Sequence, residues 1–267
     1  MTPAEDGGWH RLGRLDPFAE DRDDGTRLIR VRQTIGSYPR ALPDRLVHWA
    51  RDTPEHAFLA ERDGDGHWRV LRYAETLRRV RRIASGLLDH DLSAERPVAI
   101  LSGNGIDHAL VALAAMMVGV PYAPISPPYS LVARDFGKLA YCLDLLTPGL
   151  VFVSDAVPFQ AALTAIAQPD RRFVAVHRAD ATGATPLAAL EGPEDDPRVD
   201  AAFAAIGPDT IAKFLLTSGS TGEPKAVINT QRMLMANQVM LEQCFPFLGE
   251  TPPVFVDWLP WNHTFGS

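Results

Sequence analysis

Between positions 98 and 176 the chain alternates short apolar runs with helical patterns, and that order leaves few folds open. Residues 98–101, 122–125, 150–153 and 173–176 are near-continuous apolar runs of strand length. Helical patterns lie between them, over 107–118, 131–146 and 159–167. Repeated β-α-β units of this size predict a parallel sheet with helices packed on its faces. Strands that are apolar throughout, rather than at alternate positions, are those covered on both sides. The fold class predicted is therefore α/β, a mostly parallel sheet flanked by helices. The link Ser102-Gly103-Asn104-Gly105 contains only G-x-G and reads as a tight βα turn rather than a dinucleotide site.

The flanks add smaller pieces. Residues 1–26 are acidic and polar without periodicity and read as a flexible lead-in. An edge strand is expected over 27–32, a helix over 43–51, and a hairpin of 57–60 with 68–73 around Asp63-Gly64-Asp65-Gly66. An amphipathic helix over 73–90 places Leu77, Val80, Ile83, Ala84, Leu87 and Leu88 on one face. Arg78, Arg79, Arg81 and Arg82 fall on the other faces. No aromatic residues interleave with them, so they read as a solvated face rather than a nucleic-acid patch. Residues 178–209, rich in Ala, Pro, Gly, Asp and Glu, read as a variable connection. There is no internal repeat, and residues 27–267 are taken as one large α/β domain.

The stretch Thr217-Ser218-Gly219-Ser220-Thr221-Gly222-Glu223-Pro224-Lys225 has the composition of a polyphosphate cradle. Glycines allow positive φ and close approach of backbone N–H groups to an anion. Hydroxyls donate further hydrogen bonds, and Lys225 adds a full positive charge. An apolar run at 211–216 precedes it, a β-prone run at 226–230 follows, and a helical pattern extends over 231–244. The order is strand, loop, strand. A Walker loop, G-x-x-x-x-G-K-[ST], opens straight into a helix and spaces its glycines more widely. A bare hairpin turn needs neither the lysine nor so many hydroxyls.

This string resembles the phosphate loop of the adenylate-forming (AMP-binding) enzymes, which include acyl-CoA synthetases, luciferases and peptide-synthetase adenylation domains. A second string agrees with it in order and spacing. Trp258-Leu259-Pro260-Trp261-Asn262-His263-Thr264-Phe265-Gly266 resembles the family's next motif, a histidine between a leucine-proline pair and an aromatic-glycine pair. The wording from Asp257 to Phe265, together with Val98 to Asn104 and Val120 to Pro127, is similar to the feruloyl-CoA synthetase branch. The likeness runs from about Arg27 to the last residue. One departure is Ala226, where many members carry glycine. Another is length: in the family, the adenine- and ribose-binding segments, a magnesium-binding glutamate and a mobile C-terminal domain with a catalytic lysine come later. The resemblance thus implies an incomplete N-terminal AMP-binding domain over 27–267, inactive as a 267-residue chain by itself.

What the resemblance implies chemically is ATP-dependent activation of a carboxylic acid, hydroxycinnamate-like, first to an acyl-adenylate and then to a CoA thioester. ATP, Mg2+ and CoA are the implied cofactors and co-substrates. Thr217, Ser218, Gly219, Ser220, Thr221, Gly222 and Lys225 are the implied ATP-binding residues. Lys225 would meet the terminal phosphate, and His263 would lie beside the acyl carboxylate and the α-phosphate. His263 and Trp261 are the implied substrate-binding residues. Trp258 and Phe265 read either as pocket lining or as core. A carrier-protein-loading adenylation domain, or a catalytically silent fragment, remain the alternatives.

Composition limits the rest. A net charge of −7, from 33 acidic and 26 basic residues, argues against nucleic acid as a partner. Two cysteines, Cys142 and Cys244, cannot make a disulfide framework and read as buried thiols in helices. The remaining histidines, His10, His48, His56, His67, His90, His108 and His177, lack metal-ligand spacing. Asp23-Asp24 and Glu194-Asp195-Asp196 read as solvated loop charges. The longest apolar stretch, 109–120, is shorter than a bilayer needs and reads as a buried helix. With no apolar leader at the N-terminus, the expectation is a cytoplasmic protein that does not engage membranes.

Overall fold

The structure, a computed structural model, describes residues 12–13, 15–217, 222–250, 253–264 and 266. Two antiparallel hairpins lie near the start. Strands β1 (Pro17–Asp21) and β2 (Arg27–Val31) pair with each other, so part of the expected flexible lead-in is strand. Helix α1 (Leu42–Asp52) leads to the predicted hairpin of β3 (Ala57–Arg62) and β4 (Trp68–Arg72). Asp63 shapes its turn by accepting from the backbone N–H groups of Asp65 and His67, at 3.0 and 2.8 Å. Helix α2 (Tyr73–Leu87) follows.

The alternating region then forms β5 (Val98–Ile100), α3 (Ile106–Met117), β6 (Tyr122–Pro124), α4 (Pro128–Leu131) and α5 (Gly137–Leu146). It continues as β7 (Leu150–Asp155), α6 (Ala156–Ala165), β8 (Arg172–His177), β9 (Thr185–Pro186), α7 (Leu187–Leu190) and α8 (Pro197–Ala205). The last described elements are β10 (Ile211–Thr217), β11 (Lys225–Thr230), α9 (Gln231–Cys244) and α10 (Phe247–Glu250). Seven strands make one sheet in the order β11-β10-β6-β5-β7-β8-β9. Every neighbouring pair is parallel except β10 with β11.

Side chains alternate across this sheet into two separate cores. Val98, Ile100, Leu150 and Phe152 pack with α2, α3, α7 and α8. Ala99, Leu101, Val151 and Val153 pack with α5 and α6. This double cover is why the strands read as unbroken apolar runs. Helix α3, the longest apolar stretch, is buried at all but one of its positions.

Five expectations need correction. The helix expected over 131–146 is broken into α4 and α5. The Asp135 carboxylate accepts from Gly137 N at 3.2 Å, and Phe136 takes a left-handed φ of 51°, so a new helix starts at Gly137. The connection 178–209 is built rather than loose. Leu187, Leu190 and Val199 join the core, and Gly86 of α2 is so close that a Cβ there would lie 1.6 Å from Leu190 O. Asp196 is not a solvated charge. It caps α8, accepts from the Ser85 hydroxyl at 2.7 Å and pairs with Arg198 at 2.7 Å, its side chain 4% exposed. Arg198 first, and Ser85 next, hold its carboxyl well below the usual carboxylate range. Three of the α2 arginines are likewise engaged: Arg81 meets Asp200, Arg82 meets Glu191 and Arg79 approaches Asp107. Finally, Cys142 is buried and its thiol is pushed up to about 11 by burial, whereas Cys244 is only half-buried.

One buried charge stands out. Lys213 in β10 is 3% exposed, and burial pulls its pKa from 10.5 to about 8. Below pH 8 the lysine is charged in both folded and unfolded chains, and the cost of burying that charge is present in full. Between about 8 and 10.5 the unfolded chain binds a proton that the folded chain has released, so stability rises with pH in that window. Lys213→Met is expected to flatten that rise. Denaturant unfolding at a series of pH values measures it. An equal rise between about pH 8 and 10.5 in the two proteins would contradict the assignment.

Candidate active site

The sheet reverses its direction of growth around β5. The connection after β5 runs through α3 to β6 on one side, and β7 lies on β5's other side, with α6 covering the opposite face. Loops leaving the carboxyl ends of adjacent strands diverge at such a point, and ligands of open α/β sheets bind there. The turn after β5 is tied to its neighbour, because the backbone N–H of Ser154 donates to the Ser102 hydroxyl.

Beside this point a cavity of about 330 Å³ is lined by Ser126, Tyr129, Leu216, Thr217, Pro224, Asn262, His263 and Thr264. It therefore gathers the carboxyl ends of β6 and β10, the entry to β11 and the histidine motif. Thr217 and Lys225 are opposite residues on the β10–β11 ladder, so the predicted strand-loop-strand is an antiparallel hairpin. Gly222 has a φ of +95°, a left-handed conformation that explains glycine at the loop's return. Lys225 is exposed at the mouth of the hairpin. Ser218, Gly219, Ser220 and Thr221, predicted to cradle phosphate, lie outside the described residues.

His263 lines the cavity with Thr217, so two motifs separated in sequence by more than forty positions converge. Its backbone N–H donates to Pro260 O at 3.0 Å, and Gly266 N returns a bond to His263 O at 3.0 Å. Trp261, also expected at the substrate, does not line this cavity. Its ring packs edge-on against His108 with centroids 5.2 Å apart, and its indole N–H donates to Asp257 at 2.8 Å. Trp258 is 81% exposed, and Phe265 lies outside the described residues.

His108 has a support role that its sequence position did not disclose. It is buried in the first turn of α3, with Nδ1 3.0 Å from Gly103 O, and its ring also meets Tyr122 at 6.4 Å. Burial pushes its pKa down to about 4, against the raising influence of the Gly103 and Ser102 carbonyls, so the ring is neutral at pH 7. A neutral imidazole with its Nδ1–H on a carbonyl is a rigid prop for Trp261. The N-terminus of α3 is fixed from the other side. Glu61 accepts from Ile106 N at 2.9 Å, and Arg69 bridges Glu61 and Asp107 at 3.0 and 2.9 Å. Sequence reading also missed Tyr129, Asn262 and Thr264 as cavity lining; only the folded sheet brings them beside Thr217.

The match to known proteins fits this geometry. The family described as AMP-binding enzyme matches residues 46–267. The chain belongs to that family. Among relatives of this AMP-binding enzyme, a probable non-canonical nonribosomal peptide synthetase, CymA, of Salinispora arenicola is 32% identical over 219 residues. That match takes in 81% of this chain and 2% of CymA. The long-chain-fatty-acid–AMP ligase FadD23 of Mycobacterium tuberculosis is 30% identical over 215 residues, 77% of this chain and 34% of that protein. Among solved structures, a putative long-chain-fatty-acid CoA ligase of Rhodopseudomonas palustris superposes with a TM-score of 0.61 at 20% identity. The overlap covers 76% of this chain and 47% of that one. The chain thus spans about a third of the length of FadD23 and a far smaller part of CymA. The mostly parallel, helix-flanked sheet is the fold of these enzymes' N-terminal domain.

Among the described residues no helix is long and apolar enough to cross a membrane, and no three His, Cys, Asp or Glu side chains gather to hold a metal ion.

Proposed function

We propose that this AMP-binding enzyme activates a carboxylic acid with ATP and passes the acyl group to CoA. The observation that carries the reading is the meeting of Thr217 and His263 on one cavity beside the hairpin that bears Lys225. In the first step a carboxylate oxygen attacks the α-phosphorus, the bond to the bridging oxygen of the β-phosphate breaks, and pyrophosphate leaves. In the second the CoA thiolate attacks the acyl carbonyl and AMP leaves. Phosphoryl-type transfers of this kind depend on positioning and on stabilising charge at the phosphate oxygens.

The roles carry over from the resemblance of the two motifs. The hairpin residues from Thr217 to Gly222 hold the β- and γ-phosphates, with Ser218, Gly219, Ser220 and Thr221 as the predicted cradle. Lys225, exposed and uncommitted to the core, neutralises the terminal phosphate. Mg2+ would travel with the ATP phosphates and offset their repulsion. His263 donates to the substrate oxygen that must lie in line with the α-phosphate. Trp261 acts on the acid through the shape of the 257–264 turn. This is soluble, cytoplasmic chemistry on small molecules.

The acid is read as aromatic and hydroxycinnamate-like, on the likeness of segment 257–265 to feruloyl-CoA synthetases and on Tyr129 and His263 in the cavity wall. FadD23 is named for fatty acids, and CymA is a peptide synthetase, so acid and acceptor are both open to test. The measurement is acid-dependent pyrophosphate–ATP exchange by the enzyme that carries this chain, with ferulate, a long-chain fatty acid and amino acids in parallel. Thioester formation on CoA is assayed alongside. Exchange with ferulate at least ~10-fold above the others, and a CoA thioester product, are expected. Exchange with a fatty acid alone would remove the aromatic reading. Exchange without any CoA thioester would favour a carrier protein as acceptor. No exchange with any acid would remove acid activation itself.

A further inference from the structure

The geometry points to Asn104 as a positioning residue for His263. The inference rests on the catalytic reading of His263, but its structural half stands apart. The Asn104 side chain makes a two-point contact with the segment that carries the histidine. Its Nδ2 donates to Leu259 O at 2.7 Å, and its Oδ1 accepts from Trp261 N at 2.9 Å. A primary amide offers one donor and one acceptor side by side, and these match a backbone carbonyl and an N–H two residues apart. Only asparagine or glutamine carries that pairing, and glutamine is a methylene longer.

The contact spans more than 150 positions of sequence, from the turn after β5 to the histidine motif. Each end is firmly placed. On the sheet side, Glu61 and Arg69 fix the α3 N-terminus next to position 104, and Ser102 ties the turn to β7's end. On the motif side, Trp261 lies on the buried, neutral His108, and its indole reaches Asp257. His263 follows one turn later, its N–H on Pro260 O. The turn that brings His263 to the cavity wall thus hangs from Asn104, while Asn104 itself is not among the cavity's lining residues. Small displacements of a catalytic group cost large factors in rate, up to ~10²-fold for about 1 Å.

The test uses the full enzyme and compares Asn104→Ala, Asn104→Asp, His263→Ala and the double variant with Asn104→Ala. For Asn104→Ala, kcat of adenylation is expected to fall ~10-fold or more, with KM for ATP held within ~2-fold. Amide hydrogen exchange over 257–264 should speed up. Asn104→Asp keeps the acceptor for Trp261 N and loses the donor to Leu259 O, so its kcat should lie between wild type and alanine. It also serves if the alanine protein folds poorly. In the His263→Ala background, Asn104→Ala should lower kcat no further, because a residue acting through the histidine has nothing left to position.

A normal kcat for Asn104→Ala beside a strongly impaired His263→Ala would overturn the positioning role and leave the functional reading standing. Losses that multiply in the double variant, or a fall in kcat matched by a rise in ATP KM, would assign Asn104 a different job and overturn it too. Unimpaired His263→Ala would remove the catalytic reading. In that case unchanged exchange over 257–264 in Asn104→Ala would remove the structural half as well.

Discussion

Replacing Lys225 with alanine is expected to lower the rate of acid-dependent pyrophosphate exchange by roughly 10²–10³-fold, the usual loss when one preorganised charge-stabilising group is removed. The structure makes this substitution informative. Lys225 is exposed at the first residue of β11, opposite Thr217, and the β10–β11 ladder is made by backbone groups that the change leaves intact. Thermal stability should therefore stay near wild type while catalysis collapses. Both ATP binding and the leaving of pyrophosphate should suffer, so KM for ATP rises as kcat falls. Arginine at 225 keeps the charge but spreads it over a planar fork and should restore activity only in part. A loss under ~3-fold in the alanine protein would mean the terminal phosphate lies elsewhere.

His263→Ala is expected to cost about 10²-fold in kcat, within the range for a positioned proton donor or hydrogen-bonding group. The contrast with Lys225 lies in which constant moves. His263 shares its cavity with Tyr129 and Asn262. On the proposed reading it meets the acid, so KM for ATP should hardly change. His263→Gln, which retains a donor of similar reach, should recover a measurable part of the loss. Steady-state kinetics with ATP and acid varied separately decide this. If alanine raised KM for ATP and left kcat alone, His263 would belong to nucleotide binding and not to the acid.

Much of the scaffold was legible because its signals are local. The strand-loop-strand-helix from β10 to α9 follows from two apolar runs, a glycine-rich interval and a helical pattern, and the observed bounds fall within a residue of those expected. The parallel core was readable for the same reason: strands covered on both faces are apolar at successive positions over 98–101, 122–125, 150–153 and 173–176. The misreadings share one cause, that distant partners decide the outcome. Leu187, Leu190 and Val199 are too widely spaced to show a period, and their burial depends on α2, a hundred residues earlier. Asp196 sits in an acidic run whose composition says solvent; Ser85 and Arg198 draw it inside. The break before α5 turns on the Asp135 carboxylate, which accepts from Gly137 N, and on one left-handed residue, Phe136.

The site was legible in part. Two motifs singled out His263 and the hairpin from Thr217 to Lys225, and the fold brings Thr217 and His263 to one cavity. Trp261 was named as a substrate residue, yet its ring rests on His108, because an aromatic side chain in a motif can brace as well as bind. Asn104 was seen only as part of a tight turn. No spacing rule links position 104 to 259 and 261; the link exists only once the sheet is assembled.

Both ends of the phosphate hairpin belong to the same rung, Thr217 facing Lys225. Whatever path the residues between them take, their start and finish are held about 5 Å apart by the ladder. Residues can be exchanged, added or lost between those posts without pulling on either hydrophobic layer. The sheet and the segment between its last two strands are thereby free to change at separate rates.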